Sequence, residues 1–284
     1  MSPVLIIHGG AGKDSPLKKR ARIAAHLRAI AENSWAGLLD GASALEVVVD
    51  ATRQLESDPL FNAGTGSKLQ ADGAARLSAS LMDGNQARFS AVVNVTGLAH
   101  PITLCRHLQD ESDRVLAGEG ALALARELGL EEADVRTPEA IARWEAQIAG
   151  QTGTVGAVAL DGAARIAAAT STGGRGMERV GRVSDSCTVA GNYASAIAAA
   201  SCTGIGEDIV DGAIAVQLVQ AVELGQALGE ASVRLLERMR GHDWRAGIIA
   251  LDRSGAWVTP FTTERLYWHT VDGGIHHSFH RTED

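Results

Sequence analysis

Two short apolar runs, residues 155–160 (Val-Gly-Ala-Val-Ala-Leu) and 165–171 (Arg-Ile-Ala-Ala-Ala-Thr-Ser), are separated by a turn that contains Asp161-Gly162. Their length, their β-branched content and the turn residues between them predict a β-hairpin. A turn centred near Gly162 and Ala163 sets the start of the first strand beside the end of the second. Thr154 then lies next to Ser171 or Thr172, according to a register that the sequence leaves open. Two threonines meeting at the open end of a hairpin is an arrangement with chemical consequences.

A mid-chain threonine hydroxyl is a poor nucleophile, because it has no base of its own. Cleavage of the Gly153-Thr154 bond would place a free α-amine beside that hydroxyl as its general base. A terminal amine has a peptide pKa of about 7.7–8.0, which leaves an unprotonated fraction near neutrality. Gly153 suits the bond to be cut, since a residue without Cβ tolerates strain and close approach. A half-buried strand that merely ends in threonine would show the same run.

Length allows one large domain or two small ones, at 284 residues. A hydrophobic fraction of 45% with 21% charged residues fits a globular protein with a sizeable core. Aromatics are only 4%, so that core is built from Ala, Val, Leu and Ile. A formal charge of −8 argues against phosphate-backbone binding, which wants a basic face, and nucleic acid is not an expected partner. No stretch reaches the roughly 18 apolar residues of a membrane span, and the N-terminal run has no basic n-region. A cytoplasmic protein is expected. Cys105, Cys187 and Cys202 are unclustered and read as buried free thiols.

Along the chain, residues 3–8 predict a strand and 17–39 a long helix. Ser43 and Glu46 form a capping-box pattern that opens a second helix through Leu55. Strands are expected at 75–81 and 88–96, then helices near 101–109, 118–128 and 138–148. Residues 131–153 read as an exposed connection that ends at the proposed cut. After the hairpin come strands near 187–190 and 194–202, helices at 207–224 and 227–240, and closing strands at 246–251 and 256–260. His269, His276, His277 and His280 match no common metal spacing and read as surface histidines.

Several blocks carry a resemblance. They are His8-Gly9-Gly10-Ala11-Gly12, Phe61-Asn62-Ala63-Gly64-Thr65-Gly66, Met82-Asp83-Gly84-Asn85, the run 153–161 with Ala169-Thr170-Ser171-Thr172-Gly173-Gly174, Gly181-Arg182-Val183-Ser184-Asp185-Ser186, and Thr203-Gly204-Ile205-Gly206-Glu207. Together, and in this order, they resemble the plant-type L-asparaginase and isoaspartyl peptidase family of N-terminal-nucleophile hydrolases. The glycine-rich block at His8 also resembles a lipase-type oxyanion loop, but the chain contains no G-x-S-x-G elbow.

The resemblance implies an α+β fold, a four-layer αββα sandwich, where pattern alone gives only mixed α and β. It implies one domain cut into an α-chain, residues 1–153, and a β-chain, residues 154–284. The implied activity is hydrolysis of L-asparagine and of β-aspartyl dipeptides. A glycosylasparaginase-like amidase and a non-catalytic small-molecule binding protein are the alternatives. Thr154 would be the nucleophile, Thr172 a hydroxyl that tunes it, and Thr203 with Gly204 the oxyanion site. Arg182 and Asp185 would hold the substrate's α-carboxylate and α-ammonium, with Gly206 helping and Asn62 ordering the site. From sequence alone, Arg182 and Asp185 could equally pair with each other. Ser184, Cys187 and Asn192 depart from the family pattern, where glycine, proline and threonine are common. The resemblance also implies no catalytic cofactor, a dimer of processed αβ units, and a structural sodium on the backbone carbonyls of Leu55, Glu56, Asp58, Phe61, Ala63 and Thr65.

Overall fold

The computed structural model describes residues 2–147 and 153–279. Strand β1 (Val4–Gly12) opens the chain, followed by helices α1 (Leu17–Leu39) and α2 (Ala44–Ser57). The Ser43 hydroxyl accepts from Glu46 N–H while the Glu46 carboxylate accepts from Ser43 N–H, so the expected capping box starts α2. Next come β2 (Leu77–Asp83), β3 (Arg88–Val95), α3 (Pro101–Leu108), β4 (Val115–Ala117), α4 (Gly118–Glu127) and α5 (Pro138–Glu145). The second half holds β5 (Val155–Leu160), β6 (Ile166–Thr172), a 3₁₀ turn (Asp185–Cys187), β7 (Asn192–Ala194) and β8 (Ala198–Gly204). It ends with α6 (Gly206–Gly212), α7 (Ile214–Glu223), α8 (Leu228–Gly241), β9 (Ala246–Asp252), β10 (Trp257–Val258), β11 (Arg265–Asp272) and β12 (Ile275–Ser278).

The strands form two sheets, one in the order β12-β11-β1-β5-β6-β2-β3-β4 and one in the order β10-β9-β8-β7. Three apolar clusters show how they stack. Leu27, Val48, Leu55 and Leu104 join Leu5, Ile7 and Val155 between the first-half helices and the larger sheet. Ile6, Val158, Ile166, Ile249 and Leu251 fill the space between the two sheets. Ile209, Leu218 and Leu235 cover the smaller sheet from its other side, against Ala200 and Ile248. Helix, sheet, sheet and helix therefore lie in the four layers expected, because each sheet needs two apolar faces covered.

The hairpin β5–β6 sits at the middle of the larger sheet, with Val155 opposite Ser171. That register puts Thr154 beside Thr172. Asp161 pins the turn, its Oδ1 accepting from Ala163 N–H and Arg165 N–H at 2.9 Å each. The three cysteines are free and buried, as expected.

Other expectations need correction. The strand expected at 187–190 is instead the end of the 3₁₀ turn and a loop, and the strand expected at 194–202 begins at Ala198, after the short β7. The helix expected at 207–224 breaks at Ala213, whose backbone is left-handed (φ 44°, ψ 45°). Gly212 lies so close to Trp244 that a Cβ there would come within 2.9 Å of its ring, and the chain changes direction at that contact. The connection at 131–153 contains α5, which buries Ala140 and sends Trp144 Nε1–H to the Ala71 carbonyl at 3.3 Å. Its residues 148–152, and with them the expected end of that helix, lie outside the described residues, as does His280.

The strands expected to close the fold do so less than β11 and β12, which sequence reasoning did not anticipate. β11 pairs along the whole of β1, with Val4 opposite Asp272 and Gly12 opposite Arg265. His269 is buried on β11 with its Nε2 3.0 Å from His276 Nδ1, so it is not a surface histidine. His276 and His277 are exposed, and the His277 ring lies tilted against Trp257 with centroids 5.3 Å apart. Among the described residues no cluster of three His, Cys, Asp or Glu could hold a metal ion.

Candidate active site

Thr154 is buried at the mouth of the hairpin. Its Oγ1–H donates to Thr172 Oγ1 at 3.2 Å, and Thr172 Oγ1–H donates to the Gly153 carbonyl oxygen at 3.2 Å. The Thr154 hydroxyl proton therefore has a two-step path to the Gly153 carbonyl oxygen. Thr172 also accepts from Gly174 N–H at 3.1 Å, which fixes its hydroxyl.

A second donor reaches the same carbonyl. Asn62 Nδ2 donates to Gly153 O and to Gly174 O at 2.5 Å each, and its Oδ1 accepts from Lys68 N–H at 2.9 Å. The amide thus has one orientation, with both N–H groups aimed at carbonyls. Asn62 and Thr172 place two hydrogen-bond donors on Gly153 O, an arrangement that stabilises negative charge developing there. Ser186 Oγ is a third hydroxyl near the nucleophile, 3.5 Å from Thr154 Oγ1.

A cavity of about 320 Å³ opens over these threonines. Thr154 and Thr172 line one end, and Arg182, Asp185, Gly204, Gly206 and Glu207 line it with them. Gly204 has φ 151°, and a Cβ on it would come 2.4 Å from the Arg245 carbonyl, so only glycine fits. Gly206 is the meeting point of the charged groups. A Cβ on it would stand 2.9 Å from both Arg182 Nη2 and Asp185 Oδ1. Thr203 does not line the cavity; its buried Oγ1 accepts from Ala11 N–H at 3.1 Å. Its hydroxyl proton is still available as a donor.

Arg182 and Asp185 do not pair with each other. Arg182 Nε and Nη2 donate to Glu207 Oε1 and Oε2 at 2.8 and 2.7 Å. Those bonds hold the Glu207 carboxyl down at about 2. Asp185 is buried, and burial pushes its carboxyl up to about 7 against its own backbone bond and the Arg182 charge. Its Oδ2 has no hydrogen-bond partner. A buried carboxylate so poorly compensated suits an incoming ammonium group.

Below the nucleophile, His8 Nε2 lies 3.0 Å from Ser201 Oγ, which in turn lies 2.7 Å from Thr170 Oγ1. Burial pulls the His8 imidazole down to about 3. His8 is therefore neutral at any working pH and cannot titrate alongside a terminal amine.

Sequence reasoning brought Thr154, Thr172, Arg182, Asp185, Gly204 and Gly206 to one place. It missed Glu207 as the Arg182 partner, although an arginine at a cavity wall needs a counter-ion. It also missed Ser186, which directly follows Asp185 in the 3₁₀ turn.

Comparison with known proteins gives the family. The Asparaginase family model matches residues 1–152 and 147–280. An isoaspartyl peptidase/L-asparaginase of Synechocystis sp. is 42% identical, the match covering 90% of this chain and 84% of that protein. A plant-type L-asparaginase of Pyrococcus furiosus is 38% identical over 88% of this chain and 90% of its own. The isoaspartyl peptidase of Escherichia coli is 37% identical over 93% and 91%. With its threonine pair at the centre of a four-layer sandwich and relatives matched over most of its length, this chain belongs to the Asparaginase family, an N-terminal-nucleophile hydrolase family.

Proposed function

We propose that the chain is an autoprocessing hydrolase of L-asparagine and of β-aspartyl dipeptides. The observation that carries this reading is the relay from Thr154 Oγ1 through Thr172 Oγ1 to Gly153 O. In the uncut chain, Thr154 Oγ attacks the Gly153 carbonyl carbon and its proton passes to Thr172, which protonates the carbonyl oxygen. The tetrahedral hydroxyl then gives its proton up to the Thr154 nitrogen as the carbonyl re-forms, and the C–N bond breaks to leave an ester and an amine. Water then hydrolyses the ester, leaving a carboxylate on Gly153 and a free amine on Thr154.

That amine takes over as base in turnover. Thr154 attacks the side-chain carbonyl of an aspartyl unit, ammonia or an amino acid departs, and water releases L-aspartate. Arg182 holds the α-carboxylate and Asp185 the α-ammonium, because a guanidinium and a carboxylate answer one group each. Gly204 N–H serves the tetrahedral oxyanion, with the Thr203 hydroxyl as a second donor once it turns from behind the cavity wall. Release of ammonia from L-asparagine by the processed protein, and its loss in Thr154→Ala, tests the assignment. No turnover of either substrate by a processed chain would reject it.

We propose further that the loop after α2 holds a sodium ion on the carbonyls of Leu55, Glu56, Asp58, Phe61, Ala63 and Thr65. Oxygen-only ligands suit a hard cation. The loop closes so tightly that a Cβ on Gly64 would come 2.2 Å from Glu56 O, and one on Gly66 3.0 Å from Phe61 O. The ion would order this loop next to Asn62 and take no part in the chemistry. A dimer of processed αβ units in the cytoplasm completes the proposal. It rests on the resemblance to the family, and among the described residues no helix is long and apolar enough to cross a membrane.

A further inference from the structure

A second, larger cavity of about 780 Å³ borders the first, and Gly12, Lys13 and Gly153 line both. Its charge is out of keeping with a chain of formal charge −8. Among the described residues, Lys13, Lys18, Lys19, Arg22, Lys68 and Arg143 line it, against the single carboxylate of Glu139. The cations come from four places in the fold: the end of β1, the first turns of α1, the loop after Asn62, and α5. Separate elements have thus been brought together around one basic space.

Lys68 reaches the neighbourhood of the Gly153-Thr154 bond. A Cβ on Gly153 would stand 3.7 Å from its Nζ. Burial, with the charges of Arg143 and Lys19, pushes its ammonium down to about 8, while Glu178 acts in the opposite sense. The cations are close enough to repel one another. Cleavage places one anion there, the new Gly153 carboxylate, and the remaining excess of positive charge favours a further anion entering the cavity.

The placement of the substrate says which anion. With its α-groups on Arg182 and Asp185 and its carbonyl at Thr154, an aspartyl unit fills the first cavity. Whatever is attached to that carbonyl then extends past Gly153, the residue that becomes a free chain end when the chain is cut. Ammonia from asparagine needs no space there, but the amino acid of a β-aspartyl dipeptide carries a carboxylate. We propose that the basic cavity is the leaving-group subsite, and that it selects β-aspartyl dipeptides whose second residue is itself acidic. The inference rests on the hydrolase reading above and deepens it. The carboxylate of the departing residue meets Lys68 first, and an acidic side chain reaches toward Arg143 and the cations of α1.

The test compares kcat/KM for β-aspartyl-glutamate and β-aspartyl-lysine, each divided by the same enzyme's value for L-asparagine, which has no leaving residue. The processed wild-type enzyme should prefer the glutamate dipeptide about three- to tenfold, the range of one or two partly exposed ion pairs. Added salt should shrink the preference, since such charges are screened over about 10 Å at 0.1 M. Arg143→Glu should reduce or invert it. Arg143 is exposed on the surface of α5, so this variant should fold, and circular dichroism checks that it does. Equal normalised rates for both dipeptides in the wild type would overturn the subsite, and so would a preference that Arg143→Glu and salt leave unchanged. If L-asparagine and both dipeptides all went unhydrolysed by a processed chain, the hydrolase reading itself would fail.

Discussion

Arg182 grips Glu207 with two prongs, at 2.8 and 2.7 Å, and does not touch Asp185. The sequence offered either a substrate-binding pair or an internal salt bridge, and the structure lacks the internal salt bridge. A third side chain orients the guanidinium, while Asp185 stays buried and poorly compensated. On the function proposed here, Glu207 is a positioning residue that would act on the substrate through Arg182.

Arg182→Ala should leave the cut at Gly153 intact, because that step involves no substrate carboxylate. Turnover should fall about ten- to hundredfold, the equivalent of about 1.5–3 kcal/mol for a charge-assisted bond. Glu207→Gln should raise KM and spare kcat, since it loosens the arginine without removing it. Steady-state kinetics on L-asparagine separates the two, and an unchanged kcat/KM in Arg182→Ala would return that residue to a structural role.

Asn62 should matter to processing more than its side chain's distance from the substrate groups suggests. Its Nδ2 donates to the Gly153 carbonyl, the one attacked in the proposed cut. Loss of one such donor typically slows a reaction about 10²–10³-fold. Asn62→Ala should therefore accumulate uncut chain, followed over time on a denaturing gel. Processing at the wild-type rate would remove Asn62 from the cut.

The acid side of the pH profile should carry two groups. Below about 7 Asp185 gains a proton and loses its grip on the substrate's ammonium, so kcat/KM falls as pH falls. The terminal amine of Thr154 acts in the same direction, because only its neutral form is a base. Log kcat/KM should drop with a limiting slope of roughly two in the wild type and roughly one in Asp185→Asn. His8→Asn should keep the wild-type slope, since His8, pulled down to about 3, does not titrate in this range. A slope of one in both the wild type and Asp185→Asn would remove Asp185 from the limb.

Gly156 tests the packing beneath the nucleophile. A Cβ on it would come 2.1 Å from Ser201 Oγ and 2.6 Å from His8 Nε2. Gly156→Ala should cost about 1–3 kcal/mol through overpacking and lower the melting temperature. A variant as stable as the wild type would show that β5 and β8 can separate at little cost.

What was legible in the sequence was local. The capping box at Ser43, the Asp161 turn and the hairpin carrying Thr154 are set by neighbouring residues, and they stand where expected. What was hidden depends on distant partners. Residues 265–272 mix Arg, His and Asp with apolar residues, so no clean alternation marks β11. It becomes a strand because β1 offers it an edge. The same holds at the site. Thr154 and Thr172 meet through a short-range hairpin, whereas Asn62 reaches Gly153 from the first half of the chain. Glu207 closes on Arg182 from the helix after β8.

The central claim is that Thr154 becomes an amino terminus. The most direct measurement is the mass and amino-terminal sequence of the purified protein's chains after incubation. Two chains are expected, residues 1–153 and 154–284, the second beginning Thr-Val-Gly-Ala, with Thr154→Ala remaining whole and inactive. A single intact chain that nonetheless hydrolyses L-asparagine, or a second chain beginning anywhere but Thr154, would contradict it.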